Sequence, residues 1–386
     1  MTINTAAISP KETFEALAEL AKTWRLPAML HGAPGIGKTS LIEQLADKIV
    51  GDYVDAMVAK GQIAAEKRDE TFAFERARRL RDVRLTTIES VDLRGLPVLD
   101  HQTKQSKFYA PEFLPTFEGP GILFFDEITA AERRLQASAY SILQERRIGA
   151  YELPDGWFVV AAGNGAEHGA ISHEMGSALA DRLIHFKVTA TPKAWLAWAG
   201  ENDIAPEVMA FIQCRQDYLE GCETRVKDDQ LIGPSPRGWH RVSTIIKAIK
   251  NKDVLRNVIP GIIGEVAAAE FFLVLEELDS MVKVESLLKA KPEDRAKMLP
   301  KTIAGLYGVA YALIPSLAEK DSIEPVFETF EAMRSLEVPG VPTYEIAVLG
   351  MELVFDKGDK MGMIGEMAAS PCYKRYAKER KQMGLQ

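Results

Sequence analysis

A chain of 386 residues, 47% hydrophobic and 26% charged, holds enough apolar material for two or three domains with cores of their own, which excludes a disordered or fibrous chain. Its formal net charge of -8 repels nucleic-acid phosphates, so DNA or RNA binding requires a local basic patch. The two candidate patches, FERARRLRDVR at 74–84 and CYKRYAKERKQ at 372–382, each have the simpler reading of a solvated helix face.

The opening MTINTAAISPKETF carries no basic start followed by an apolar run, so no secretory signal is expected and the default compartment is cytoplasmic. Ser9 before Pro10, with Phe14, Leu17 and Leu20 at helical spacing, predicts a capped first helix. PAMLH then reads as a strand, GAPGIGKT at 32–39 as a loop, and TSLIEQLADKIV as a helix. Residues 51–82 form a charged, helical insertion. DVRLTTIES, GILFFDE, WFVVAAGN and RLIHFKV supply four more strands, alternating with helices, which predicts an open, mostly parallel, five-stranded α/β sheet.

Two stretches break this alternation. Residues 91–115 are rich in turn residues, and residues 146–158 contain a Pro-Asp-Gly turn that suggests a hairpin. After about residue 190 the pattern is helical. The expected division is a nucleotide-binding core at 1–190, a helical lid at 191–250 and a helical C-terminal region at 251–386. The apolar run TIAGLYGVAYALIPSL, 302–317, is shorter than the roughly 20 residues a membrane span needs and contains Pro315, so it reads as a buried helix. Cys214, Cys222 and Cys372 lack paired spacing and read as reduced. His31, His101, His168, His173, His185 and His240 show no metal-site spacing.

GAPGIGKT matches the phosphate-loop pattern G-x-x-x-x-G-K-[ST] from Gly32 to Thr39. Gly35 and Gly37 allow the loop of Gly32, Ala33, Pro34, Gly35, Ile36 and Gly37 to turn the N–H groups of its residues other than Pro34 around a phosphate. Lys38 then reaches the β- and γ-phosphates, Thr39 ligates Mg²⁺, and Thr39 and Ser40 open a helix whose positive end faces the anion. ILFFDEI at 122–128 ends a buried strand on two carboxylates: Asp126 suits the Mg²⁺ shell, and Glu127 suits orienting and deprotonating a water. Asn164 closes the next strand, where it is expected to reach the γ-phosphate or that water.

In this order GAPGIGKT, LFFDE, AAGN, SALADRL and GPSPRG resemble the AAA+ ATPases, and specifically the MoxR family, over about residues 10 to 250. The resemblance implies an ATP hydrolase using ATP and Mg²⁺, with Asn164 as sensor 1, Arg182 as an arginine finger offered to a neighbouring subunit, and Arg237 as sensor 2, backed by Arg241. An arginine fits these places because its charge is permanent and its fork matches phosphate oxygens; in other nucleotide hydrolases such a finger contributes about 10³ to 10⁵ in rate. It also implies a homo-oligomeric ring, expected as a hexamer, that remodels or matures a client protein. The two interrupting stretches match inserts that face the pore or axial surface and touch the substrate protein. The family follows its acidic pair with Ile-Asn-Arg, whereas this chain has Ile128, Thr129 and Ala130, leaving Arg133 or Arg134 to make that arginine's subunit contact. IGEVAAAEFFLVLEEL resembles C-terminal extensions of ATPases paired with von Willebrand A-type or metallopeptidase-like proteins.

Rival readings are a DNA-associated AAA+ motor, disfavoured by the acidic charge, and a nucleotide-dependent scaffold with little turnover, disfavoured by Glu127. A GTPase reading from DLRG and NKDV fails because position 254 is Val rather than the Asp that reads guanine.

Overall fold

The computed structural model describes residues 5–165, 180–221, 230–279, 283–317 and 320–382. The chain divides into two compact units, one built on the residues up to Thr191 and the other on Pro192–Gly221 with the residues from Ile232 onward.

The first unit opens with β1 (Ala7–Ile8) and α1 (Pro10–Ala21). Ser9 caps α1, and Glu12 returns the contact to the Ser9 backbone, closing a capping box at the Ser-Pro start. Then follow β2 (Ala28–His31), α2 (Lys38–Ala59), α3 (Arg68–Arg79), β3 (Leu80–Arg84), α4 (Ser90–Arg94), the pair β4 (Leu96–Asp100) and β5 (Gln105–Tyr109), β6 (Gly121–Asp126), α5 (Arg133–Glu145), the short pair β7 (Arg147–Ile148) and β8 (Tyr151–Glu152), β9 (Trp157–Gly163) and β10 (Ile184–Val188).

Among the described residues the main sheet has six strands in the order β1-β10-β2-β9-β6-β3, every neighbouring pair parallel. Five were expected; the sixth is the two-residue edge strand Ala7–Ile8, too short to show a period. Within β2, β6 and β9 the side chains alternate between two cores. Leu30, Ile122, Phe124, Phe158 and Val160 pack with Leu17 of α1 and Leu41, Ile42 and Leu45 of α2. Met29, Leu123, Phe125, Val159 and Ala161 pack on the opposite face with Leu135, Ala139 and Ile142 of α5. Burial on both faces explains why these strands read as unbroken apolar runs. Each large side chain so buried contributes about 1.5–3 kcal/mol.

Three expectations shift. The strand sought in DVRLTTIES is Leu80–Arg84, earlier than expected, and Leu85–Thr87 is a single 3-10 turn. Part of the charged insertion at 51–82 is therefore sheet: α2 runs on to Ala59, α3 packs back against it, and β3 begins at Leu80. Near 146–158 the hairpin turns at Gly149 and Ala150, between Ile148 and Tyr151, rather than at Pro154-Asp155-Gly156. That second turn is stitched to the approach of β6, because Gly119 N–H donates to Asp155 O (2.9 Å).

The second unit is helical in its described residues. The helix Pro206–Cys214 packs against Ile303–Ser316, which in turn packs against Thr343–Lys360, so helices from both sides of residue 250 share one core. Its aromatic centre is Phe211, Trp239 and Phe271, with ring centroids 5.0–5.6 Å apart. The 302–317 run is the buried helix Ile303–Ser316, and no described helix is long and apolar enough to cross a membrane. Cys214 and Cys372 are free thiols; Cys222 lies outside the described residues.

The Gly156 backbone has φ of +92°, and a Cβ there would lie 2.5 Å from the Gly119 carbonyl carbon. Gly156→Ala is therefore expected to destabilise the first unit by about 1–3 kcal/mol. Urea unfolding followed by tryptophan fluorescence, with Trp195, Trp198 and Trp239 of the second unit replaced by Phe in both proteins, checks this; an unchanged midpoint would contradict it.

Candidate active site

In a parallel sheet the strand ends on one edge stand side by side, and β2, β9 and β6 are adjacent. Their C-terminal residues His31, Gly163 and Asp126 carry GAPGIGKT, Asn164 and Glu127 onto one rim of the sheet. Crevices at this edge are the usual binding place in open α/β folds.

The phosphate loop has the backbone its glycines allow. Gly35 and Gly37 take φ of +84° and +101°, and Gly37 is the N-cap of α2. Gly32 lies where a Cβ would sit 2.7 Å from Val188 O. Ala33 and Ile36 are buried, Pro34 is half-buried, and Ser40 is exposed at the first turn of α2.

Lys38 is 8% exposed, and its ammonium donates to Gly32 O (2.7 Å), Ala33 O (3.1 Å) and Asn164 Oδ1 (2.7 Å). Thr39 Oγ1 donates to Asp126 Oδ2 (3.2 Å), so a hydroxyl and a carboxylate converge, a pair of hard oxygen ligands that fits Mg²⁺. Glu127 follows with φ of +58°, a strained conformation for a residue with a side chain, and its N–H donates to Asp126 Oδ1 (2.8 Å). The fold thus brings Lys38, Thr39, Asp126, Glu127 and Asn164 together.

Arg182 is not part of this group. Arg182 is exposed, two residues before β10, and donates from Nη1 to Gln144 Oε1 of α5 (2.6 Å). Arg237 belongs to the second unit, exposed in the first turn of Pro236–Ala248, where Ser235 caps through the Gly238 N–H (3.0 Å); Arg241 is exposed on the next turn. Arg133 opens α5, and Arg134 O accepts from Ser138 Oγ. SALADRL is described only from Ala180, and His168 and His173 lie outside the described residues. No cluster of His, Cys, Asp and Glu able to hold a metal occurs among the described residues.

Three contacts at this rim escape a sequence reading. Thr86, just after β3, donates to Glu127 Oε2 (2.6 Å) from 41 residues away. Thr129, where the resembled family has Asn, grips the Asn164 backbone with one hydroxyl: it donates to Asn164 O (3.0 Å) and accepts from Asn164 N (3.0 Å). His31 Nε2 meets His185 Nδ1 at 2.8 Å across β2 and β10. Burial, with His185 and Lys38 nearby, pushes the His31 imidazole down to about 3, so its ring stays neutral.

Rival features find local explanations. In the 74–84 patch, Arg76 pairs with Asp47, Arg78 stacks 4.0 Å over Phe117, and Arg79 pairs with Glu75 and stacks 4.2 Å over Tyr53. These arginines are structural. Asp92 of DLRG accepts from the Glu89 N–H at the start of α4, and Asn251 of NKDV caps the helix Lys252–Val258.

The family described as AAA domain (dynein-related subfamily) matches residues 27–183. No curated protein matches the chain. Similar solved structures include a point mutant of RuvB from Thermotoga maritima, 17% identical over 79% of this chain and 80% of that one, TM-score 0.35. Another is NtrX from Brucella abortus, 14% identical over 91% of this chain and 69% of that one, TM-score 0.32. A third is the replication initiator DnaA bound to AMPPCP and single-stranded DNA, 12% identical over 92% of each chain, TM-score 0.22. Residues 27–183 are thus an AAA domain of the dynein-related subfamily, and the core they form has the P-loop AAA+ fold.

Proposed function

We propose that this chain is a ring-forming, MoxR-like ATPase that couples ATP hydrolysis to remodelling or maturation of a partner protein. The observation that carries this reading is the joining of three strand ends: Lys38 reaches Asn164 while Thr39 reaches Asp126, with Glu127 beside them. An accidental glycine turn has no reason to collect a lysine, a hydroxyl, two carboxylates and an amide from segments up to 126 residues apart.

The assigned roles follow from the donor chemistry. The loop N–H groups and Lys38 hold the β- and γ-phosphates. Thr39 and Asp126 are the residues that would hold Mg²⁺, which offsets phosphate charge when bound with the nucleotide. Glu127 orients a water and takes its proton as the water oxygen bonds to the γ-phosphorus and the bond to the bridging oxygen breaks, releasing ADP and phosphate. Thr86 fixes where that carboxylate points, and Thr129 fixes the backbone of Asn164 as sensor. Arg182, exposed and held by a neutral amide, acts on the next subunit's γ-phosphate, and Arg237 acts as sensor 2. A finger supplied in trans needs a head-to-tail ring, here a hexamer.

The client-binding surface is assigned to the two hairpins. Leu96, Leu99 and Tyr109 on β4 and β5 are 72%, 70% and 67% exposed, an apolar display that a surface with no partner rarely keeps. A cleft of about 300 Å³ lies between this hairpin and β7–β8, lined by Arg94, Phe108, Pro115, Tyr151 and Glu152 among others. The C-terminal region is assigned to a von Willebrand A-type or metallopeptidase-like partner on the sequence resemblance alone. A protein client is preferred to DNA because Arg76, Arg78 and Arg79 of the 74–84 patch are engaged within the fold.

Glu127→Gln is expected to lower ATP turnover about 10²-fold or more while nucleotide affinity stays within about threefold, read by phosphate release and by titration. Wild-type turnover no faster than the variant, with or without candidate clients, would leave the scaffold reading standing. A salt-sensitive stimulation of turnover by DNA would favour the motor. Replacing Leu99 and Phe108 together with Ser should leave basal turnover within about twofold but abolish client capture by the Glu127→Gln ring. Undiminished capture would remove the hairpin from the client surface.

A further inference from the structure

Two histidines join the phosphate loop to the turn that carries Arg182. His31 ends β2 and is followed at once by Gly32, whose carbonyl accepts from Lys38. Its Nε2 lies 2.8 Å from His185 Nδ1, and the rings stack with centroids 5.1 Å apart. His185 Nε2 in turn lies 2.8 Å from Ala180 O, which also accepts from the Leu183 N–H (3.2 Å).

A carbonyl only accepts, so His185 Nε2 carries hydrogen and donates to Ala180 O. His185 Nδ1 and His31 Nε2 share the other hydrogen bond, and the Ala180–Leu183 turn is tied across the strands to the residue preceding the loop. Ala180 and Leu183 bracket Asp181 and Arg182, so the tie closes around the arginine.

We infer that His31 and His185 are positioning residues that set the Arg182 turn against the phosphate loop of their own subunit, so that a displaced loop misplaces the arginine offered to the neighbour. This rests on the reading of Arg182 as a finger acting in trans. Lys38 and the Gly32 carbonyl move together, His31 follows Gly32 covalently, and the two imidazoles carry that movement to Ala180. The pair therefore links nucleotide occupancy in one subunit to hydrolysis in the next.

Mixed rings test this. His185→Phe keeps a ring of similar size and loses both hydrogen bonds; it should bind ATP within about twofold of wild type and hydrolyse it at least tenfold more slowly. Mixed with Glu127→Gln subunits, which cannot hydrolyse but carry an intact arginine turn, it should recover at least about threefold in turnover per His185→Phe subunit. Arg182→Ala mixed in the same way is the control and should recover likewise. His185→Gln, whose amide can donate to Ala180 O and accept from His31, should hydrolyse faster than His185→Phe. Recovery with Arg182→Ala but not with His185→Phe, or a fully active His185→Phe, would overturn the inference and leave Arg182 as the finger. Recovery with neither would overturn the Arg182 reading and this inference with it.

Discussion

The reach of Lys38 from the start of α2 to Asn164 at the end of β9 is the contact on which the rest of the rim depends. A buried ammonium is costly to hold unless oxygen acceptors surround it, and here two loop carbonyls and the Asn164 amide do so. That requirement sets the loop against β9, and Thr129 and Gly163 set β9's last residues against the segment after β6. A Cβ on Gly163 would lie 2.4 Å from the Thr129 methyl, so the hydroxyl can grip Asn164 only because position 163 is glycine. The acidic pair, the lysine and the amide are in this way parts of one packed arrangement.

The parallel sheet makes that arrangement possible. Its ladder fixes which residues stand level: Arg84 beside Asp126, Phe125 beside Ala161, and His31 beside both Gly163 and Lys187. With the strands in register, polar groups at consecutive strand ends fall on one rim. The two cores on either face hold the strands in this register by packing on both sides.

Much of this was legible in the sequence because it is local. The loop spacing, the apolar run before Asp126 and Glu127, and the Ser-Pro start of α1 each depend on residues within a few positions. Strand Ala7–Ile8 was not legible because two residues have no period, and Leu80–Arg84 was hidden because Arg81 and Arg84 give it the charge of the helix before it. Thr86, Thr129 and the His31–His185 pair were invisible for a different reason. Their partners lie 41, 35 and 154 residues away, and only the strand order, which does not follow the chain order, brings them together. The two inserts were located by their turn residues, but the position of the second hairpin's turn was misread. A Pro-Asp-Gly signal marks a turn without saying which strands it joins.

In the proposed ring, hydrolysis depends on assembly, because each site is completed by the arginine that the neighbouring subunit offers. The most direct measurement is ATP turnover per subunit across a wide range of protein concentration, with molar mass followed in parallel by light scattering in the presence of ATP. Turnover rising together with the appearance of a closed oligomer is the predicted result. A monomer hydrolysing ATP at a constant, full rate at every concentration would contradict the account.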